Sequence, residues 1–337
     1  MQSTLDTFCT LTIATVMAGL SITAFSRIDA GNPTKGWASG TYQRGFENRF
    51  EQSIPAQEGS VALWAAAKWA LFGETAAGAV AGREGWLFTA EEFTEPSEAR
   101  DLATELSRVV EALSENGTAL VPVIVPDKAR MRSDRLPRGR SEGFDTRYQR
   151  ALEVIEDTGL PVIDLRPALS FEKSFMRTDT HWSPEGARRA AEAVAEVVEG
   201  FELPHTDVQT VATGSVGFDG DLLSFVATGP FRSIVGPAPE SIDTFETIVE
   251  ASAGLFDDAA IPIALVGTSY SAKPEFHFAG FLKQAARADV LNASYVGQGP
   301  FAPMDTFLKD RATLSTLPSL VVWEIPERFL TSRSLLP

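Results

Sequence analysis

Cysteine is nearly absent from this chain of 337 residues: Cys9 is the single one, so no intramolecular disulfide can form and no cysteine-rich metal site exists. Histidine is almost as scarce. The chain has three, His181, His205 and His277, so any histidine-dependent chemistry must use one of them. Internal repeats and low-complexity tracts are also missing, and the length allows one large domain or two small ones.

Positive charge is in short supply as well. The 29 lysines and arginines are outnumbered by 45 acidic residues, which gives a net charge of −16 and a pI of about 4.7. Such a surface repels phosphate backbones, so nucleic acid is a poor candidate partner. Apolar residues make up 44% of the chain, which is enough for a sizeable core and argues against global disorder.

Charge is missing altogether from Phe8 to Phe25, a mostly apolar segment of 18 residues. It is slightly shorter than the roughly 20 residues that span a bilayer, and longer than the signal-peptide apolar core of about 7–15 residues. We interpret it as an uncleaved signal anchor; a cleaved signal ending near Ala30 and a buried core helix are the alternatives. The expected organisation is an anchor or signal peptide over 1–30 and an exported domain over 31–337.

Short apolar runs alternate with helical periodicities from about residue 97 onwards. The expected strands are 119–125, 161–165, 261–266, 289–294 and 320–324, and the expected helices are 102–113, 145–158, 184–199, 275–287 and 305–314. This alternation implies an α/β fold with a mainly parallel sheet and helices on both faces. Residues 201–255 are rich in Gly, Thr, Ser and Pro, and we interpret them as a possible β-rich insertion with short strands.

Binding sites of such sheets lie beyond the carboxyl ends of the strands, so the loops after the strands are the places to search. One of them is GTSYS, Gly267–Ser271, directly after the strand expected at 261–266. Gly267 permits a sharp turn, which would expose Ser269 near the start of the next helix, where backbone N–H groups can stabilise an oxyanion. Alone this signal is weak, because Gly-Thr-Ser turns are common.

A second loop is DTHW, Asp179–Trp182. Imidazole is a suitable base near neutral pH, so His181 can deprotonate a serine, and Asp179, two residues away, can orient the imidazole. A simple loop hydrogen bond is the alternative; a metal site would need further ligands, which the other histidines do not supply at a matching spacing. Together the two loops predict a Ser269–His181–Asp179 triad.

Six segments carry a resemblance to a known family. They are GREGWLF (82–88), VPDKARM (125–131), TDTHWSPEGAR (178–188), GTSYSA (267–272), GQGPF (297–301) and VVWEIPERFL (321–330). On these segments the chain resembles the alginate O-acetyltransferase family, a branch of the SGNH-hydrolase-like proteins. By resemblance, Ser269 is the nucleophile, His181 the base and Asp179 the orienting carboxylate, although typical SGNH hydrolases place the nucleophile first in the sequence.

The resemblance also implies an architecture and a setting. It implies a three-layer α/β/α SGNH-hydrolase-like domain with a mainly parallel sheet, preceded by an N-terminal signal anchor. It implies a periplasmic location at the inner membrane, a polysaccharide acceptor, and partners that include a membrane-bound acyltransferase and other polysaccharide-modification proteins. We expect the short, membrane-anchored type without an appended carbohydrate-binding module, and we expect no cofactor and no metal.

Further residues are candidates for stabilising an oxyanion or binding substrate. Beside the Ser269 backbone N–H, they are Gly297, Gly299, Tyr270, Asn292, Arg328, Lys128 and Arg130. Lys128 and Arg130 open a basic run that ends at Arg140. This run can bind an anionic glycan if it lies at the carboxyl edge of the sheet; a solvated loop is the alternative.

The function that these features favour is a serine-dependent O-acetyltransferase that acetylates hydroxyls of an alginate-like exopolysaccharide. His181 would deprotonate Ser269, which would take up the acetyl group and pass it to a sugar hydroxyl. One rival is a carbohydrate acetyl esterase with the same triad and water as the acceptor. Another is a non-catalytic scaffold of a polysaccharide export complex.

The uncharged segment Phe8–Phe25 yields the first testable expectation. The full-length chain should fractionate with the membrane, with its domain in the periplasm, whereas a truncation starting near Gly31 should be soluble and folded. Cell fractionation with protease accessibility measures both. Full-length protein recovered free in the cytoplasm would rule out the anchor.

Overall fold

The computed structural model of this chain describes residues 15, 18–29, 36, 37, 39–53, 57–97, 100–226, 228–249, 261–314 and 316–331. By their contacts they divide into two units, Met1–Phe72 with Ala227–Gly236 and Gly73–Val226 with Pro237–Pro337. The predicted boundary between residues 30 and 31 stays a prediction.

The elements are numbered in chain order. The helices are α1 (18–27), α2 (Thr41–Ser53), α3 (Gln57–Phe72), α4 (Leu102–Ser114), α5 (Lys128–Met131), α6 (Glu142–Asp157), α7 (Pro184–Val198), α8 (Arg232–Val235), α9 (Ser269–Ala272), α10 (Phe278–Ala286) and α11 (Phe301–Asp310). The strands are β1 (Ala79–Ala81), β2 (Leu87–Thr89), β3 (Ala119–Val125), β4 (Val208–Phe218), β5 (Glu240–Val249), β6 (Ile263–Val266), β7 (Val290–Asn292) and β8 (Leu320–Pro326).

The first unit holds α1, α2, α3 and α8. Aromatic contacts join α1 to α2, because the Phe25 ring lies 5.9 Å from that of Phe46 and 5.1 Å from that of Phe50. None of the described helices has both the length and the apolarity to cross a membrane. Residues 8–14, 16 and 17 of the predicted anchor lie outside the described residues, so the anchor stays a prediction.

The second unit is built on a four-stranded parallel sheet in the order β3-β8-β6-β7. Successive side chains of a strand point to opposite faces, and both faces are apolar here. Val121 and Val123 belong to the core under α7 and α10, whereas Leu120 and Ile124 belong to the core under α4, α6 and α11. The predicted three-layer α/β/α arrangement is confirmed.

The start of α7 shows how the sequence fixes a loop near the sheet edge. Ser183 caps the helix, since its Oγ accepts a hydrogen bond from the Gly186 N–H at 3.0 Å, and Pro184 occupies the first helical position. A Cβ on Gly186 would lie 2.1 Å from the Ser174 carbonyl oxygen. Glycine is therefore required where residues 174–183 fold back onto the helix.

The strand predicted at 161–165 is wrong. The segment forms no sheet ladder, and its Leu165 N–H instead donates a hydrogen bond to the Tyr148 hydroxyl at 3.0 Å. That hydroxyl donates in turn to the Ile124 carbonyl at 3.3 Å. A buried tyrosine of α6 thus satisfies backbone groups that a neighbouring strand would otherwise pair, which a search for apolar runs cannot detect.

Two other segments differ in detail from their predicted forms. The helix expected over 275–287 is interrupted at His277, which has a φ of 59°, so α10 starts only at Phe278. The region 201–255 contains β4 and β5, an antiparallel pair of 11 and 10 residues, longer than the short strands expected. That it is an insertion stays a prediction.

Replacing Tyr148 with phenylalanine should lower the free energy of unfolding by about 1–2 kcal/mol, because the buried Leu165 N–H loses its acceptor. Chemical denaturation measures the change. Tyr295→Phe is the matched control: Tyr295 is 43% exposed, and its substitution should change stability by less than about 0.5 kcal/mol. Equal effects of the two substitutions would contradict the role of the Tyr148 hydroxyl.

Candidate active site

Ser269 lies where the sequence predicts it, in the turn that follows β6. It begins α9, a single turn of four residues, and it is partly exposed, whereas the neighbouring Thr268 and Tyr270 are buried. The Thr268 hydroxyl accepts a hydrogen bond from the Tyr270 N–H at 3.3 Å, which closes the turn. Ser269 thus lies at the start of a one-turn helix, and the helix expected at 275–287 follows separately as α10.

His181 faces this serine from the loop before α7. Its Nε2 lies 2.7 Å from the Ser269 Oγ, although the two residues are 88 positions apart in the sequence. His181 is 2% exposed, and its imidazole stacks on the Phe276 ring at 4.9 Å and contacts the tilted Tyr270 ring at 4.7 Å. The structure thus brings a nucleophile and a base into hydrogen-bond contact, with the base fixed by packing.

Asp179 completes the array through a tight local turn rather than an extended segment. Its Oδ1 accepts hydrogen bonds from the backbone N–H of His181 at 3.0 Å and from its Nδ1 at 2.6 Å. Its Oδ2 accepts the Asp221 N–H at 2.8 Å. With Nδ1 held as the donor, Nε2 is left to accept the proton of Ser269, which is the tautomer a serine triad requires.

The ionisation of the pair follows from this geometry. Burial lowers the pKa of His181 below its ordinary value, and the hydrogen bond and charge of Asp179 offset that effect in part. Burial alone would raise the pKa of Asp179, but the hydrogen bond and charge of His181 outweigh it and hold the pKa below the ordinary range. At neutral pH the pair is therefore an ionised carboxylate beside a neutral imidazole.

Asp221 lies at the same site and was not predicted from the sequence. Its Oδ1 accepts the Thr180 N–H at 2.8 Å, and its Oδ2 lies 3.8 Å from the His181 Nδ1. A Cβ on the preceding Gly220 would lie 2.1 Å from the Thr178 carbonyl oxygen, so glycine admits this close approach. Nothing in the surrounding sequence distinguishes this Gly-Asp pair from an ordinary turn.

The carboxylates and imidazole of Asp179, His181 and Asp221 have ligand atoms within 4.8 Å of one another. This spacing suits a cation, but hydrogen bonds account for the cluster. Both Asp179 oxygens accept N–H groups, the His181 Nε2 faces Ser269, and one Asp221 oxygen is occupied by Thr180. The arrangement fits a proton-transfer site.

Lys128 does not reach the surface, contrary to the predicted glycan contact. It is fully buried, and its ammonium donates hydrogen bonds to the backbone carbonyls of Leu87, Arg177 and Asp179, the last at 2.9 Å. Burial lowers the pKa of Lys128 to about 8, although the negative charge of Glu92 raises it. Lys128 therefore supports the loop that carries the triad carboxylate.

Two further residues of the basic run form ion pairs with carboxylates inside the protein. Arg130 forms an ion pair with Glu327 at 2.6 Å, and Arg140 forms one with Asp127 at 2.8 Å. Both partners are buried carboxylates, and a buried carboxylate needs such a partner. The predicted use of Arg130 in glycan binding is thus replaced by an internal ion pair.

Within the described part of the chain, none of the remaining predicted residues forms a hydrogen bond with the Ser269 hydroxyl. The Asn292 amide donates to the Ser271 carbonyl at 2.8 Å. The Tyr270 hydroxyl donates to the Thr180 carbonyl at 2.9 Å, and the Arg328 guanidinium lies over the Tyr270 ring. Arg328, Gly297 and Gly299 line a cavity of about 440 Å³.

A parallel sheet that carries a hydrogen-bonded Ser-His-Asp array beyond its strands defines a serine-dependent enzyme of acyl transfer or ester hydrolysis. The family to which the sequence belongs identifies which of these two reaction classes applies. The chain belongs to the family of the SGNH hydrolase-like domain, acetyltransferase AlgX, whose model matches residues 79–327.

The relatives agree with this assignment. The chain is 36% identical to "Probable alginate O-acetylase AlgJ" of Pseudomonas putida, over 88% of this chain and 81% of the relative. It is 34% identical to the protein of the same name from Pseudomonas aeruginosa, over 94% and 87%. Among solved structures it is similar to the O-acetyltransferase domain of Pseudomonas putida AlgJ, with 34% identity, a TM-score of 0.66, and coverage of 76% of this chain and 92% of that one.

Ser269→Ala and His181→Ala should each abolish acyl transfer and leave the fold intact, because triad members act as a unit and single losses reach about 10⁶-fold in rate. Turnover of an acetyl ester and circular dichroism measure the two effects. His205→Ala, at an exposed histidine, is the control and should keep full activity. An active Ser269→Ala protein, with sulfonyl fluoride modifying Ser271 instead, would overturn the assignment.

Proposed function

We propose that this protein is a serine-dependent O-acetyltransferase that acetylates hydroxyls of an alginate-like exopolysaccharide. The observation that carries the proposal is the hydrogen-bonded Ser269–His181–Asp179 array in a chain related over most of its length to alginate O-acetylases.

The first half-reaction forms an acetyl-enzyme. His181 Nε2 takes the proton of Ser269 as Oγ attacks the carbonyl carbon of the acetyl donor, and Asp179 stabilises the imidazolium. The tetrahedral intermediate then expels the donor's leaving group, which receives the proton from His181. Ser269 is left as an acetyl ester, and the His181 imidazole is neutral again.

The second half-reaction returns the serine. His181 takes the proton of a sugar hydroxyl as that oxygen attacks the acetyl carbon, and the Ser269 Oγ leaves and recovers a proton from His181. The products are an O-acetylated sugar and free enzyme. An esterase differs only in using water here, so acceptor binding decides between transfer and hydrolysis.

The positively charged Lys273 is the feature that favours an acceptor with negative charge. Its positive charge lowers the pKa of both Asp179 and His181, its side chain is 22% exposed, and its ammonium lies 3.8 Å from the Glu275 carboxylate. A uronate carboxylate near this ammonium would gain a charge-assisted hydrogen bond. Three residues of the basic run that the sequence suggests for this purpose, Lys128, Arg130 and Arg140, are instead engaged inside the protein.

The setting proposed for the reaction is the periplasmic face of the inner membrane. The uncharged segment Phe8–Phe25 supports attachment there. A membrane-bound acyltransferase would supply the acetyl group, and the relatedness to proteins named for alginate biosynthesis supports partners that modify the same polysaccharide. Hydrolysis of the acyl-enzyme would waste the donor, so such an assembly favours direct delivery of the acceptor.

The test separates transfer from hydrolysis. In buffer alone, p-nitrophenyl acetate should turn over slowly, because water is poorly positioned against the acetyl-serine. Uronate oligomers should accelerate nitrophenol release and become acetylated, since a well-oriented hydroxyl reaches an effective molarity of about 10⁵ M or more, far above that of bulk water. Absorbance and mass spectrometry of the oligomers give the two measurements.

Neutral glucan oligomers of the same length are the matched acceptor control, and they should accelerate the reaction less. Rapid deacetylation of a pre-acetylated glycan, with no acetylation of any offered acceptor, would establish the esterase instead. Absence of both activities in a folded protein would favour the scaffold.

A further inference from the structure

A buried carboxylate lies directly behind the nucleophile turn. Glu324, near the carboxyl end of β8, is fully buried. Its Oε2 accepts the Thr268 N–H at 2.7 Å and the Ser271 hydroxyl at 3.1 Å, and the Thr268 hydroxyl lies 3.0 Å from each of its oxygens. Thr268 and Ser271 flank Ser269, so this single side chain holds both ends of the turn.

Gly267 makes this contact possible. A Cβ at Gly267 would lie 2.5 Å from the Glu324 Oε2 and 2.8 Å from its Cβ, closer than real atoms approach. The glycine therefore admits the carboxylate against the backbone where β6 ends. This close approach, and not a left-handed backbone conformation, is what requires glycine at this position.

We propose that Glu324 is a positioning residue for the nucleophile, whose ionised carboxylate fixes the Thr268–Ser271 turn so that the Ser269 Oγ stays aligned with the His181 Nε2. It acts through the backbone and hydroxyl groups of the turn and does not touch the reacting atoms. The inference rests on the proposed role of Ser269 as nucleophile.

The hydrogen bonds around Glu324 suit the ionised form. The Thr268 N–H, the Thr268 hydroxyl and the Ser271 hydroxyl all act as donors, and a carboxylate only accepts. If the carboxyl were protonated, its O–H would face one of these donors and that hydrogen bond would be lost. Protonation of Glu324 should therefore loosen the turn.

The surroundings put this protonation near neutral pH. Burial raises the pKa of Glu324 to about 7, although the hydrogen bonds from Thr268 and Ser271 and the charge of Arg328 lower it. On β3, the residue in register with Glu324 is the apolar Val123. The ionised form accumulates as the pH rises through about 7, whereas His181, whose pKa lies below its ordinary value of 6.5, becomes a base at lower pH.

The test uses the full chain and the rate at which phenylmethylsulfonyl fluoride modifies Ser269 between pH 5 and 9. This rate reports the nucleophile without any acyl donor or acceptor. In the natural protein it should rise with a midpoint near pH 7. In Glu324→Gln the plateau should fall about 10- to 100-fold, as expected for a nucleophile misplaced by about 1 Å, and the midpoint should move below 6.5.

Glu327→Gln is the matched control. Glu327 is also fully buried, three residues further on, and it bonds to Arg130 and to the Asp127 N–H rather than to the nucleophile turn. Its substitution should lower the melting temperature but leave the labelling rate and the midpoint unchanged. A merely structural Glu324 would give the same result as Glu327.

Ser271→Ala keeps the test decisive if Glu324→Gln does not fold. It removes one hydrogen bond that lowers the pKa of Glu324, so the midpoint should move upward, opposite to the effect of glutamine. An unchanged midpoint in Ser271→Ala, or Glu324→Gln labelled with the natural rate and midpoint, would overturn the inference. No labelling of Ser269 in the natural protein would instead overturn the proposed function.

Discussion

The hydrogen bond between the His181 Nε2 and the Ser269 Oγ joins two loops that meet only when the sheet is complete. Its length of 2.7 Å depends on groups that hold each loop separately and on contacts between the loops, among them a hydrogen bond. The Tyr270 hydroxyl forms this hydrogen bond by donating to the Thr180 carbonyl, so the residue after the nucleophile is bonded to the residue before the base. A shift of either loop would lengthen the bond on which proton transfer depends.

Several charged groups are buried near the edge of the sheet. Lys128 donates to the Asp179 carbonyl, and Asp127 and Glu327 connect the ends of β3 and β8 through a 3.0 Å hydrogen bond and their arginine partners. Buried ion pairs contribute little net stability after desolvation, but removing one partner is costly. Arg130 and Arg140, which follow β3, thus neutralise the buried carboxylates of Glu327 and Asp127 at the edge of the sheet.

The residues that carry the chemistry are easier to predict from the sequence than the residues that hold them in place. Ser269 and the Asp179–His181 pair were predicted because each combines a reactive side chain with a loop signal. The prediction that Lys128 and Arg130 bind a glycan is wrong, because a run of basic residues has the same sequence pattern whether its side chains face water or buried polar groups. Asp221 and Glu324 were missed, since a carboxylate in a turn or in an apolar strand carries no local sign of the backbone donors it will meet.

The sequence by itself determined the α/β alternation, the capped start of α7, and the residue types of a serine triad, because periodicity, capping and side-chain chemistry are local properties. Only the tertiary structure decided that 161–165 pairs with a tyrosine instead of a strand, and that the carboxylates of Asp221 and Glu324 serve the two catalytic loops. Those outcomes depend on which buried donors and acceptors come within hydrogen-bond distance. That is settled by the packing of elements far apart in the chain, since every buried polar group must find a partner somewhere.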